Sequence, residues 1–294
     1  MADPMEWFVN RVKQLAGFQK MMRGETEKCI MAVQAPAEMG KTWLIQRLRQ
    51  ECATAGLPTL HIDFRDRRPY DYLTVVRTAR DQMGATAFNQ LTQTINELTG
   101  VNIQLSGASA GGAQVSVVGP QANLGGAQVT VGDVAGGNII KDNCFYVQAD
   151  SSTARRAIEI RITDAFFACI SALATADKKC VFLFDSYEDV TEEADRWLRD
   201  NLFARQRDKQ LLSTITVIAG RKTPDFGDDW KARLASTGLD PFSQDDVTDY
   251  LTNKRKVTGL DIPTVFRTSG GRPGLLSQMV ELATVGSEKA EDWL

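Results

Sequence analysis

Ala35-Pro36-Ala37-Glu38-Met39-Gly40-Lys41-Thr42 stands between the apolar run Cys29-Ile-Met-Ala-Val33 and the amphipathic stretch Trp43-Leu-Ile-Gln-Arg-Leu-Arg49. The first flank predicts a buried strand and the second the start of a helix. Strand, loop, Gly-Lys-Thr and helix in that order is the layout of a phosphate-binding loop. In such a loop the backbone N–H groups, here from Ala37, Glu38, Met39, Gly40 and on to Trp43, cradle phosphate oxygens at the positive end of a helix. The Lys41 ammonium neutralises phosphate charge and the Thr42 hydroxyl coordinates Mg²⁺. One position departs from the pattern: the loop opens with Ala35, where glycine is usual, and a Cβ there closes backbone regions that only glycine enters cheaply.

The rest of the composition is compatible with that reading. At 294 residues the chain predicts one large domain or two smaller ones. Its 43% apolar and 24% charged content is that of a globular protein. A net charge of −3 and a pI near 5.4 argue against a dedicated nucleic-acid binder. No apolar run approaches the ~18 residues that span a bilayer, and Met-Ala-Asp-Pro-Met-Glu at the N-terminus has no basic-then-apolar secretory pattern. The expectation is a cytoplasmic protein with no membrane partner. The cysteines at 29, 52, 144, 169 and 180 form no C-x-x-C pair, which reads as free thiols rather than a zinc site. The single histidine, His61, lies in a strand-like run and reads as structural.

Apolar runs at Cys29–Val33, Thr59–Phe64, Cys180–Phe184 and Thr214–Ala219 alternate with helical patterns at Val12–Met22, Lys41–Ala55, Tyr72–Met83, Thr86–Leu98, Thr153–Ala176 and Thr191–Arg205. Strands alternating with helices predict an α/β fold with a parallel sheet flanked by helices. The segment 100–143 breaks the pattern. It is rich in glycine and repeats Gly111-Gly-Ala-Gln-Val-Ser-Val117 as Gly125-Gly-Ala-Gln-Val-Thr-Val131. Consecutive β-hairpins and a flexible low-complexity insert both suit it, and pairing of its strand edges with a partner is a further reading. From about residue 237 the chain is helical. Ser243-Gln-Asp-Asp246 opens one helix, and Ser269-Gly-Gly-Arg-Pro-Gly274 opens a last one carrying Leu275, Leu276, Met279 and Leu282. The expected division is a nucleotide-binding domain over 1–99 and 144–236, a Gly-rich insert over 100–143 and a helical lid over 237–294.

A phosphate loop works with an acid that ends another buried strand and holds the metal. Val181-Phe-Leu-Phe-Asp185 supplies it, so Asp185 joins Thr42 as a metal ligand. Glu188 follows three residues later and is placed to orient or deprotonate a water, or else is one solvated acid among Asp189, Glu192 and Glu193. Arg221 leaves the strand Ile215–Gly220 and is placed to stabilise transferred charge, the alternative being a plain surface arginine. Arg65-Asp66-Arg67-Arg68 reads most simply as a solvated, partly self-neutralised loop, with proximity to the nucleotide or a partner the alternative.

Taken in order, Phe8-Val-Asn-Arg11, Met39-Gly-Lys-Thr42, Phe182-Leu-Phe-Asp185-Ser-Tyr-Glu188, Ile218-Ala-Gly-Arg221, Leu239-Asp-Pro-Phe242 and Gly271-Arg-Pro273 resemble the nucleotide-binding core of STAND ATPases. These are signal-transduction NTPases with numerous domains, related to the AAA+ group. The resemblance covers nearly the whole chain except the Gly-rich insert. It implies that Phe8, Val9 and Arg11 border an adenine pocket and that Pro273 contacts adenine from the lid. It also implies that Lys41 and Thr42 hold phosphate and Mg²⁺, that Asp185 is the Walker B acid, that Glu188 activates water and that Arg221 is a sensor arginine. An ATP/ADP switch follows, hydrolysing ATP slowly and assembling as a homo-oligomer or with a separate effector protein, with bacterial defence a typical setting. Ala35 and Glu38 replace glycines usual in that loop, so a non-catalytic nucleotide-stabilised scaffold is the alternative. The winged helix and sensor repeats usual in the family do not follow Pro273 before Leu294. The chain therefore reads as an isolated switch module, a truncated piece, or a minimal protein with separate partners.

Overall fold

The computed structural model describes residues 4–66, 70–99, 103–105, 115–117, 129–130, 146–147, 152–175 and 178–291. In chain order the elements are α1 Val12–Met22, β1 Ile30–Gln34, α2 Lys41–Thr54, β2 Thr59–Asp63, α3 Tyr72–Met83 and α4 Asn89–Thr99. The short strands β3 Ile103–Leu105, β4 Val115–Val117, β5 Val129–Thr130 and β6 Tyr146–Val147 come next, then α5 Ser152–Leu173. The chain continues through β7 Cys180–Asp185, α6 Glu192–Trp197, α7 Ala204–Arg207, β8 Thr214–Gly220, β9 Leu234–Gly238, α8 Gln244–Thr248, α9 Ile262–Ser269 and α10 Pro273–Glu291. Two compact units result: Met1–Met83 with Leu173–Leu294, and Gly84–Ala172.

The first unit is built on a five-stranded sheet in the order β2-β7-β8-β1-β9, parallel at every pairing. Its three central strands explain the continuous apolar runs. Every residue of β7 and β8 is buried, as expected where helices cover both faces. On one face Met31, Val33, Val181, Leu183, Ile215 and Val217 pack against Phe18 and Met21 of α1 and Leu44, Ile45 and Leu48 of α2. On the other, Gln206 of α7 donates to Thr214 Oγ1 at 2.9 Å and accepts from Thr216 Oγ1 at 3.0 Å. All three side chains are buried, so those hydrogen bonds remove the cost of sinking polar groups beneath the sheet. Strand order and direction place the ends of β1, β2, β7 and β8 along one edge, where α/β sheets hold ligands.

The edge strands differ in composition. β2 alternates buried and half-exposed positions. β9, Leu-Ala-Ser-Thr-Gly, has no fully buried residue and was not among the expected strands. The helix expected over Thr191–Arg205 is present, but its middle turns, Leu198–Phe203, widen to π-type hydrogen bonding. Thr86–Leu98 begins as a 3₁₀ turn at Ala85–Phe88. The C-terminal helices α8–α10 share a core of Phe242, Val247, Tyr250, Leu251, Leu276 and Val280, joined by Val9 from the N-terminal segment. Ser243 and Asp246 form the reciprocal capping box that starts α8.

The second unit buries Phe88, Leu91, Ile162, Phe166 and Ile170, with the Phe88 and Phe166 rings stacked at 6.0 Å. Of the repeated motif, Val115–Val117 and Val129–Thr130 are strands. They pair antiparallel with Ile103–Leu105 and Tyr146–Val147 rather than with each other. The Gly-Gly halves of both repeats, and Cys144, lie outside the described residues.

Candidate functional site

The phosphate-type loop joins β1 to α2 and is held in shape from several sides. Gly40 caps α2 in the left-handed conformation, φ 83°, which glycine enters without a Cβ clash. Glu38 is also left-handed, φ 64°, at a cost that a glycine would not incur. Its carbonyl oxygen accepts from Gly274 N at 2.9 Å, at the start of α10. The Ala35 N–H donates to Gly220 O at 3.1 Å, fastening the loop to β8, and the Ala35 side chain is buried in the sheet core. Met39 also turns its side chain into that core, so any ligand contact from Met39 is through its backbone. Lys41 Nζ donates to Ala35 O at 2.8 Å and Pro36 O at 2.7 Å, which arches it over the loop. Burial lowers the Lys41 pKa, against the opposing pull of Glu188 and Asp185.

Thr42 and Asp185 come together as expected. Asp185 is 1% exposed; one carboxylate oxygen accepts from Ser186 N at 2.8 Å, and Oδ2 is buried with no hydrogen-bond partner. Burial raises its pKa above the usual carboxylate value, partly opposed by the Thr42 hydroxyl, while neighbouring Asp63 adds to the rise. A buried carboxylate oxygen without a partner is costly. Facing a threonine hydroxyl at the loop, it fits a hard, oxygen-seeking cation such as Mg²⁺.

Glu188 and Arg221 meet in a way the sequence did not specify. Glu188 Oε2 accepts from Arg221 N at 2.7 Å and Oε1 accepts from Arg221 Nε at 2.7 Å. Burial would raise the Glu188 pKa, but these bonds and the arginine charge hold it below the usual value. Glu188 is therefore not a solvated acid, while Arg221 is an exposed arginine paired with it.

Of the remaining expected residues Ala37 is exposed on the loop, and the others line a narrow slot beside it. Phe8, Val9, Arg11, Gly40, Trp43 and Pro273 form it together with Trp7, Phe242, Tyr250 and Ser277. Arg11 is buried, and its fork is engaged by Met39 O at 2.7 Å and Asp240 O at 2.6 Å, with the Phe242 ring 5.1 Å away. It clips the N-terminal segment to loop and lid, and both terminal nitrogens already have backbone partners. Asn10 and Arg11 are both left-handed, φ 65° and 67°. Asn10 Nδ2 donates to Asp246 Oδ2 at 2.8 Å, which helps hold that turn.

Sequence reasoning missed two groups. Phe242, Tyr250 and Ser277 reach the slot from the lid, and Trp7 from the N-terminal segment. Asp63 falls inside the expected strand Thr59–Phe64 with no role of its own, and Arg65 belongs to the cluster that reads most simply as a solvated loop, with proximity to the nucleotide the alternative. Asp63 is instead the register neighbour of Asp185. Arg65 pairs with Asp63 at 2.6 Å and reaches to 3.4 Å from Thr42 Oγ1. The signal available was that β2, like β7, ends in Asp.

No protein-family model and no curated protein sequence matches the chain. Among solved structures, Cdc6p from Pyrobaculum aerophilum is similar at 12% identity with a TM-score of 0.53, over 99% of this chain and 67% of that one. A Walker-type ATPase of Pyrococcus abyssi shares 12% identity over 92% of this chain and 65% of its own, at a TM-score of 0.44. A STAND protein with a tetratricopeptide repeat sensor from Pyrococcus horikoshii shares 13% over 92% and 29%, at 0.43. These last two are too distant to add weight, and the chain spans only part of each. At such identities likeness speaks for the fold alone. The parallel sheet, the loop between β1 and α2 and the Cdc6p likeness agree: the chain has a P-loop NTPase fold, of the kind implied by the STAND and AAA+ resemblance.

Proposed function

We propose that the chain binds adenine nucleotide with Mg²⁺ and hydrolyses ATP slowly, as the switch core of a STAND-type ATPase. The observation that carries this is Asp185 Oδ2, buried without a hydrogen bond near Thr42 at the mouth of the loop. The loop N–H groups and Lys41 bind the phosphates, Thr42 and Asp185 hold the cation, and the slot lined by Trp7, Trp43, Tyr250 and Pro273 takes the base. The bound cation offsets phosphate charge during transfer.

Glu188 is the residue suited to orient the attacking water, and Arg221 the one suited to the terminal phosphate. As they stand, each engages the other. A base works best with a pKa near the working pH, and the Arg221 side chain on Oε1 and backbone N–H on Oε2 help hold the Glu188 pKa below its usual value. Turnover thus requires Arg221 to leave Glu188, for which a terminal phosphate is the natural competitor. That requirement favours slow hydrolysis and a long-lived loaded state, which suits a switch that assembles with further copies or an effector.

The same pair favours a second reading, a scaffold that binds nucleotide without cleaving it. ATP binding and turnover by the wild type, Lys41→Ala and Glu188→Gln separate these. The switch predicts slow turnover, at least about a hundredfold weaker nucleotide binding in Lys41→Ala (~2.7 kcal/mol), and ATP binding without turnover in Glu188→Gln. Binding without any wild-type turnover selects the scaffold. Failure of the wild type to bind either ATP or ADP overturns both.

A further inference from the structure

Asp63 and Asp185 end adjacent parallel strands and stand opposite each other in register. Two residues past Asp63 the chain turns back, and the Arg65 guanidinium folds over both strand ends. Its Nη2 lies 2.6 Å from Asp63 Oδ2, 3.4 Å from Thr42 Oγ1 and 4.0 Å from Asp185 Oδ2. Its Nε adds contacts to both Asp63 oxygens at 3.1 and 3.2 Å. One nitrogen of one side chain thus faces both oxygens proposed to hold the cation, Thr42 Oγ1 and Asp185 Oδ2, yet hydrogen-bonds strongly only to Asp63. Asp185 Oδ2 stays without a hydrogen bond although a cation stands 4.0 Å away. The guanidinium is bulky and more than half exposed, and it is anchored to Asp63; Asp185 is buried below it.

We infer that Arg65 is an internal competitor for the divalent-cation position, held there by Asp63 and displaced when the metal-nucleotide enters. The inference rests on the nucleotide reading above and adds a regulatory residue to it. A compact divalent ion with ligand distances of about 2.0–2.1 Å can reach the Asp185 oxygen that the guanidinium does not. Two cations a few ångströms apart repel, and the half-exposed guanidinium can swing into solvent, so metal entry and Arg65 departure are coupled. The consequence is that the divalent ion loads against an opposing charge, and loading demands more of it than Thr42 and Asp185 alone would.

The test uses the full chain with ADP and reads Mn²⁺ directly, by the loss of the free-ion electron paramagnetic resonance signal. ADP binding in chelator and in Mg²⁺ is measured alongside. Arg65→Gln removes the competing charge and is expected to bind Mn²⁺ at least about fivefold more tightly in its ADP complex, the size of a modest coupling between sites. Arg65→Lys keeps the charge and is expected to stay nearer the wild type than Arg65→Gln does. Equal Mn²⁺ affinity in wild type and Arg65→Gln overturns the inference, and so does weaker binding in Arg65→Gln, which would make Arg65 an aid to the metal. A wild type that binds ADP in neither condition instead overturns the nucleotide reading itself.

Discussion

Asp185 and Glu188 sit three residues apart, and their surroundings push their pKa values in opposite directions. Asp185 is raised, first by burial, so its ionised form is the one the fold disfavours. Such a group adds stability while protonated, and that contribution is lost as pH rises from the ordinary value of 3.8 through the raised one. Replacing it by Asn removes the buried charge at nearly constant shape. At pH 7, Asp185→Asn is expected to stabilise the metal-free protein by about 1 kcal/mol, or roughly 1.5–2 °C in Tm for a chain of this size. The same variant loses Mn²⁺ binding in the ADP complex. A fall in Tm would show that Asp185 is satisfied in the fold by something other than a metal. Glu188 is lowered: burial opposes its charge, but the Arg221 bonds outweigh it. Its stabilisation is present above about pH 4.5 and is lost as pH falls through the lower folded value. The stability gap between wild type and Glu188→Gln, followed by denaturant titration, is therefore expected to be level at neutral pH and to close in acid. Gly220 makes this pair possible. A Cβ there would run into the carbonyl oxygen of Lys222 and come within 2.8 Å of Glu188 Oε2.

How much each element revealed in advance follows from where it sits in the sheet. Central strands β1, β7 and β8 are covered on both faces, so their residues are nearly all apolar and stand out against the helical periods around them. Their ends carry Lys41, Asp185 and Arg221 to one edge of the sheet, and that part of the candidate site was legible. Edge strand β9 was not, because Leu-Ala-Ser-Thr-Gly has one apolar residue large enough to mark a strand. Arg65 was illegible for another reason. A charge run reads as solvated unless the next strand's register is known, and only the pairing of β2 with β7 shows what Arg65 folds over. Edge strand β2 also shows how a free edge is covered. The Gln82 side chain from α3 accepts from His61 N at 2.7 Å and donates to His61 O at 2.9 Å, as a neighbouring strand would. Gln82→Ala uncovers both groups and is expected to cost about 1 kcal/mol in chemical denaturation. Unchanged stability would mean that water serves this edge equally well.

Within the first compact unit the sheet and the helical lid meet at the loop itself, so loop shape and lid position are coupled. The N-terminus of α10 approaches Glu38 so closely that a Cβ on Gly274 would lie 2.8 Å from Glu38 Cβ and 3.0 Å from its Cα. Those distances are shorter than ordinary carbon contacts, and a backbone atom cannot swing aside as a side-chain tip can. The Gly274 N–H holds the Glu38 carbonyl, and Pro273 sits over Gly40, with 3.7 Å separating its ring from where a Cβ would be. Arg11 bonds the loop at Met39 O and the start of the lid at Asp240 O. A ligand that fixes the loop's N–H groups thereby fixes the lid, and a lid that moves away releases Glu38 from the left-handed backbone that shapes the cradle. Gly274→Ala should separate the two. Its methyl group forces α10 off Glu38, and ADP affinity is expected to fall by about tenfold (~1.4 kcal/mol). Hydrogen exchange at the first turns of α10, around Leu276 and Val280, is expected to speed up without ligand and to slow less on adding ADP than in the wild type. The far side of the sheet, at Phe182 and Phe184, is expected to keep its protection, which distinguishes lid release from general unfolding. If Gly274→Ala binds ADP as tightly as the wild type and α10 exchanges no faster, the lid does not govern the loop.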